Sequence, residues 1–266
     1  MDRGRSGMSR NPFPERAWRW LQLELERWSE AGRQAHFWWR DDDATKAGAR
    51  LDRLLALSRS SQFPLSLAVI PARLEPGLAD RVRDQAQVSV LQHGYAHVSH
   101  AAAGKRNLEL GGLRSRAEIL ADLEQGYQAL SSRFGASFKP VLVPPWNRID
   151  AQIVSDLAGI GFSGLSTMKA RRSAHPAPGI LQVNTHLDPI NWRQHGGFVG
   201  VYPAIAVLVQ HLQARRSGYR DPDEPSGILT HHLAHNEAVW RFVADLLACL
   251  HEHPAVRFVG ADDIWQ

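Results

Sequence analysis

The chain has 266 residues, 44% of them hydrophobic and 22% charged, and a formal net charge of +4. This length is expected to bury one core, as a single domain over 15–266 after a mobile start at 1–14, and the composition excludes disordered and fibrous architectures. The 31 Lys and Arg residues are dispersed rather than gathered into a stripe, which argues against a nucleic-acid partner.

No window approaches about 18 uninterrupted apolar residues, so no membrane span is expected. One cysteine, Cys249, excludes an intramolecular disulfide and makes the cytoplasm the expected location. The sequence implies no oligomeric state.

Apolar groups at Trp18, Leu21, Leu25 and Trp28 have helical spacing and predict a helix over 15–31. Strands and helices then alternate. "HFWWR" reads as a strand, 46–60 as a helix, "PLSLAVI" as a strand, 76–85 as a short helix and "VSVLQH" as a third strand. A helix at 114–134, the strand "PVLVPP", a helix over 150–158 and the strand "GFSGLST" follow. The pattern ends with "ILQVNTHL", a helix near 203–216, the strand "GILTHH", a helix over 236–251 and the strand "VRFVG".

Short apolar strands alternating with helices predict a parallel sheet covered by helices, and the number of repeats favours a barrel over an open sheet. Ligands of such folds gather at the carboxyl ends of the strands. There the sequence places "RDDDA", "HGYAH", "PPWNR", "HLDPINW" and "LTHH".

Three consecutive carboxylates, Asp41, Asp42 and Asp43, repel one another unless something positive sits among them. Capping of the next helix by Asp43 or Thr45 would explain one acid, not three. His93 and His97 stand four apart, so a helical turn would put both imidazoles on one face, and His100 extends the set. Two imidazoles and a carboxylate make a ligand set with open positions for water and substrate, and a second carboxylate beside them can take a proton. Adjacent strand residues face opposite ways, so His231 and His232 cannot both aim at one site on a regular strand. His235 is a near alternative.

In this order, "RDDDA", "HGYAH", "VPPWNR", "DPINW" and "ILTHH" resemble the five motifs of the polysaccharide deacetylase superfamily, carbohydrate esterase family 4 and its relatives. The resemblance spans about residues 36–235. It implies a distorted (β/α) barrel of about seven parallel strands and a divalent metal, expected to be Zn2+, that serves removal of acetyl groups from N-acetylated sugars.

By the same resemblance Asp42 is the general base, Asp43, His93 and His97 are the metal ligands, and the Trp146 N–H in the loop with Pro145 and Asn147 steadies an oxyanion. Motif reading leaves open a one-residue slip that would make Asp41 and Asp42 the base and ligand pair. The family usually carries an arginine at the position of Val143 to steady the base, and Arg148 or Arg40 is expected to substitute. Asp188 matches a buried partner for a cation, Trp192 a wall of the groove and His231 the proton donor to the departing amine. Asn191 stands where a second aspartate is usual.

Trp39, Tyr95, Trp146 and Trp192 are further candidates for stacking on a sugar, and Pro145 and Asn147 are expected to line the substrate site with them. The expected function is metal-dependent hydrolysis of an N-acetylated sugar or related amide, with a small-molecule or oligosaccharide substrate. The rival readings are a carbohydrate-binding protein of the same fold without turnover and a hydrolase of a non-sugar amide.

Overall fold

A computed structural model describes residues 13–194 and 196–265. The expected mobile start over 1–14 lies outside the described residues as far as residue 12. Helix α1 (Phe13–Glu30) follows, burying Ala17, Leu21, Leu25 and Trp28 along one stripe.

The chain then alternates β1 (Ala35–Ala44), α2 (Ala49–Ser61), β2 (Leu65–Val69), α3 (Pro76–Arg83), β3 (Val88–His93), α4 (Arg116–Phe134) and β4 (Phe138–Val143). Two short helices, α5 (Ala151–Val154) and α6 (Leu157–Ile160), precede β5 (Gly164–Leu165) and β6 (Leu181–Gln182). A small antiparallel pair, β7 (Ile190–Asn191) and β8 (Gly197–Phe198), leads to α7 (Val201–Arg216), β9 (Ser226–Thr230), α8 (Glu237–His251), β10 (Val256–Phe258) and α9 (Ala261–Ile264).

All pairings of the eight-stranded main sheet are parallel, in the order β10-β1-β2-β3-β4-β5-β6, with β9 against β1. A parallel bridge between Leu187 and Ile228 brings the chain beyond β6 back to β9, so the sheet curls into a distorted barrel with a seam. The two-residue strands β5 and β6 are shorter than "GFSGLST" and "ILQVNTHL" predict. Side chains take over from the ladder there: Asn184 Oδ1 accepts from Thr167 N at 2.9 Å, and Asn184 Nδ2 donates to Lys169 O at 2.8 Å.

Strand alternation sorts β1 into two layers. Trp38 faces the barrel interior with Ala68, Leu91, Val141, Val143 and Trp265, whereas Phe37 and Trp39 face the helices, packing with Leu25, Leu54 and Leu246. The α2 helix is not capped by Asp43 or Thr45; its N-cap is Gly48, with no side-chain cap. α4 starts instead on a reciprocal box in which Ser115 and Glu118 satisfy each other's backbone N–H groups.

Candidate active site

A pocket of about 340 Å3 opens at the carboxyl ends of the strands, lined by Asp42, Asp43, His93, His97, Trp146, Asn147, Arg148, Met168, Asp188, Trp192 and His231. Strand β1 runs through the aspartate triplet rather than stopping before it. Period two sends Asp42 inward with Trp38 and Arg40, and Asp41 the other way. The register with β2 then shifts between Asp41 and Ala44, and Asp43 takes φ 70°. That bulge lets two consecutive residues, Asp42 and Asp43, face one pocket.

The three acids have three different partners. Asp42, 2% exposed, is held bidentately by Arg40, with Nε to Oδ1 at 2.8 Å and Nη2 to Oδ2 at 2.9 Å. Arg40 is fully buried and is fixed by Asn147 Oδ1, Ser166 Oγ and two backbone carbonyls. Asp43 Oδ1 lies 3.1 Å from His93 Nε2 and 3.3 Å from His97 Nε2. Asp41 turns away, accepting from His232 Nδ1 at 2.5 Å, His232 N at 2.9 Å and Thr230 Oγ1 at 2.6 Å.

The chemistry of the Asp43, His93 and His97 set fits a divalent ion. His93 Nδ1 faces the Val143 carbonyl at 3.0 Å, an acceptor, so the proton sits on Nδ1 and the Nε2 lone pair points at a carboxylate oxygen. Facing lone pairs are relieved by a cation between them or, without one, by a proton on His93 Nε2. Ligands about 2.0–2.1 Å from a tetrahedral zinc are about 3.3 Å apart, which matches the observed separations.

Without an ion the chain answers electrostatically. Burial disfavours charge on Asp43, yet the hydrogen bond and charge of His93, with His231 and His97, hold its carboxyl well below the usual range. Burial likewise opposes protonation of His93, but Asp42 and Asp43 raise its pKa. Burial and the neighbouring His93 lower that of His97.

His93 and His97 are not on a helical turn as their spacing predicts. β3 ends at His93 and the chain loops with positive φ at Gly94 and His97. This loop wraps around Glu109, 1% exposed, whose carboxylate accepts from the N–H groups of Tyr95, Ala96 and His97 at 3.3, 2.7 and 2.9 Å. A Cβ at residue 94 would collide with Glu109 Oε2 and Pro145, so glycine is required there. Sequence reading missed Glu109; its one signal is a lone acid between Leu108 and Leu110.

After β4 the loop carries Trp146 and Asn147 in left-handed conformations, φ 54° and 57°. Of the six non-glycine residues with positive φ among the described residues, four line this pocket: Asp43, His97, Trp146 and Asn147. Such conformations cost about 1–3 kcal/mol each and cluster at sites that need them. Across the pocket, Trp192 is 53% exposed, donates Nε1–H to Asp188 Oδ2 at 2.8 Å and meets the His231 ring edge-on at 4.8 Å.

Several expected placements are corrected. Trp39 is fully buried in the outer core against Phe63, its Nε1–H given to Thr230 Oγ1, because it sits on the outward face of β1. Tyr95, Pro145 and His100 do not line the pocket. His232, in the turn after β9, faces Asp41 behind it. Arg148 lines the mouth but donates to Asn107 O; the guanidinium on Asp42 is that of Arg40. Asp188 is engaged by Trp192 and the Ile190 N–H, and burial raises its pKa against the pull of His231.

A second His, His and Glu cluster, His186, His211 and Glu224, is buried near the amino-terminal end of β9. Its tautomer logic is the reverse. His186 Nδ1 accepts from Gly227 N at 2.9 Å, so Nε2 carries the proton and has no lone pair for a metal. Both Glu224 oxygens already accept backbone N–H groups, from Arg171 and Asn184.

No family model matches the sequence, and no curated protein matches it. Solved structures do. The peptidoglycan deacetylase of Bacillus subtilis is similar with a TM-score of 0.54 and 13% identity, over 87% of this chain and 90% of that one. A family 4 acetyl xylan esterase from Clostridium thermocellum, in complex with a cobalt ion, gives 0.53 and 13%, over 86% and 89%. The Bc1960 peptidoglycan N-acetylglucosamine deacetylase gives 0.52 and 14%, over 91% and 97%. The chain has the polysaccharide deacetylase fold. At these identities the likeness speaks for the fold, and within the deacetylase barrel the pocket occupies the strand ends where the sequence motifs fall.

Proposed function

We propose that this chain is a divalent-metal-dependent hydrolase that removes an acetyl group from an N-acetylated sugar. The observation that supports it most is the meeting, in one pocket of a deacetylase fold, of the lone-pair-bearing Asp43, His93 and His97 with a buried carboxylate, Asp42, and a third imidazole, His231.

Asp43, His93 and His97 would hold the ion, expected to be zinc, which when bound polarises the acyl oxygen and acidifies a water. Asp42 takes a proton from the attacking water; Arg40 fixes both its oxygens while leaving each a free lone pair. The Trp146 N–H donates to the oxygen that gains charge at the acyl carbon. His231 delivers a proton to the nitrogen as the C–N bond breaks, releasing acetate and the free amine.

Trp146 and Trp192 would form the walls against a sugar ring, with Asn147 engaged by Arg40 rather than by substrate. The solved relatives named for peptidoglycan and acetyl xylan support an acetylated carbohydrate. A reducing, cytoplasmic setting, suggested by the lone Cys249, favours a soluble or carrier-linked sugar over an assembled polymer.

The departures at Val143 and Asn191 favour the reading without turnover, and the Arg40 pairing removes the first of these grounds. The test is acetate release from a panel of N-acetylated sugars by zinc-loaded and chelator-treated protein. Metal-dependent release supports hydrolysis, and a loaded protein that binds sugar but frees no acetate overturns it.

A further inference from the structure

Three consecutive acids need three roles, and Asp41 is neither beside the ligand set nor in the pocket. It is fully buried, and its side chain bonds the end of β9 and the turn that follows. One oxygen accepts from His232 Nδ1; the other accepts from the His232 N–H and the Thr230 hydroxyl. Those groups belong to residues 230 and 232, the two neighbours of His231.

The rest of the turn is pinned as well. The His231 N–H donates to His235 Nε2 at 3.2 Å, and Arg50 from α2 donates to the carbonyls of His232, Leu233 and His235. The outcome is a His231 that is 9% exposed at the pocket, pressed against Trp192. Thr230 and His232 both bond Asp41 behind the pocket, and the His231 side chain between them lines the pocket, so fixing its two neighbours on Asp41 fixes where it points.

We propose that Asp41, paired with His232, is a positioning residue that holds the His231 imidazole where it can protonate the leaving nitrogen. The inference rests on the hydrolase reading. It assigns the first acid of the triplet to the proton-delivery side of the reaction, the second to proton removal and the third to the metal.

The test exploits leaving-group chemistry. Acetylated sugar amines need a proton on nitrogen to depart, whereas 4-nitrophenyl acetate expels a stable phenolate that needs none. Asp41→Asn in the zinc-loaded protein should retain wild-type metal content and wild-type turnover of 4-nitrophenyl acetate. Its kcat on tri-N-acetylchitotriose should fall about 100-fold with KM little changed, the scale of general acid catalysis. His231→Ala should lower kcat on tri-N-acetylchitotriose at least as far, which sets the ceiling for the Asp41→Asn effect.

Equal loss on both substrates, loss of metal, or undiminished amide turnover each overturns the proposal. If Asp41→Asn does not fold, His232→Asn, which keeps the backbone bond to Asp41, should show the same split in weaker form. Absence of the split overturns the proposal. A wild-type protein that hydrolyses neither substrate defeats the hydrolase reading itself. The positioning claim is then decided by the imidazole 1H–15N shifts of His231, which should move in Asp41→Asn; unchanged shifts overturn it.

Discussion

Two clusters in this barrel are built from the same residue types, two histidines and one acid, and only one is arranged for a metal. In the rim cluster His93 gives its Nδ1 proton to the Val143 carbonyl and turns a lone pair toward Asp43. In the buried cluster His186 receives the Gly227 N–H on Nδ1, and its protonated Nε2 faces Glu224 at 3.5 Å. Composition and proximity are shared; what differs is whether the outer nitrogen meets a C=O or an N–H. The partner of the far nitrogen therefore decides whether a histidine cluster is a ligand set or a structural hydrogen-bond network.

The largest test of this contrast is removal of a ligand from each side. Asp43→Ala or His97→Ala should abolish stoichiometric metal and with it metal-dependent turnover, while His211→Ala leaves metal content unchanged in elemental analysis. Loss of metal from His211→Ala alone would invert the assignment. Next in size, Asp42→Asn should keep the metal and lower turnover by about 100 to 10,000-fold, the range of a general base.

Glu109→Gln presents an NH2 group where three N–H donors converge, and should weaken metal binding by about 10 to 100-fold without unfolding the chain. Competition against a chelator reads that change. In the buried cluster, Glu224→Gln disturbs an acceptor of two backbone N–H groups and should cost about 1–3 kcal/mol in denaturant unfolding with metal binding intact.

The smallest test is the pH dependence of stability. Burial, then Arg215 and Arg171, lower the pKa of His186 to about 3; burial, then His186 and Arg215, lower that of His211 to about 2. The unfolded chain takes up these protons near pH 6.5 and the fold refuses them. Their contribution is therefore complete above about pH 6.5 and lost progressively as pH falls toward 3. Thermal midpoints should drop between pH 7 and 4.5, and less so in His211→Phe.

Strand alternation made much of the site legible. Arg40 and Asp42 share a face because β1 continues through the triplet, whereas "HFWWR" ends the expected strand at Arg40 and leaves Arg148 and Arg40 both open as partners of the base. Alternation turns Trp39 outward; His231 and His232 lie past the end of β9, where the turn itself sends one to the pocket and the other to Asp41. The bulge at Asp43 was not legible, since no residue pattern announces a left-handed φ there, and neither was the looped rather than helical path between His93 and His97. Glu109 and Ser166 reach the site by tertiary contact alone, which periodicity does not report. The early ends of β5 and β6 escaped notice because Asn184 replaces ladder hydrogen bonds with its own amide.

The seam where Leu187 meets Ile228 runs between the two halves of the pocket wall. Asp188 and Trp192 hang on one lip of it and His231 on the other, while Asp43, His93 and His97 sit on the continuously laddered arc. The His186 and Leu187 N–H groups on Gly227 O, and the Leu229 N–H on Leu187 O, tie the segment that carries Asp188 and Trp192 to the strand that delivers His231, so the two lips keep a fixed spacing.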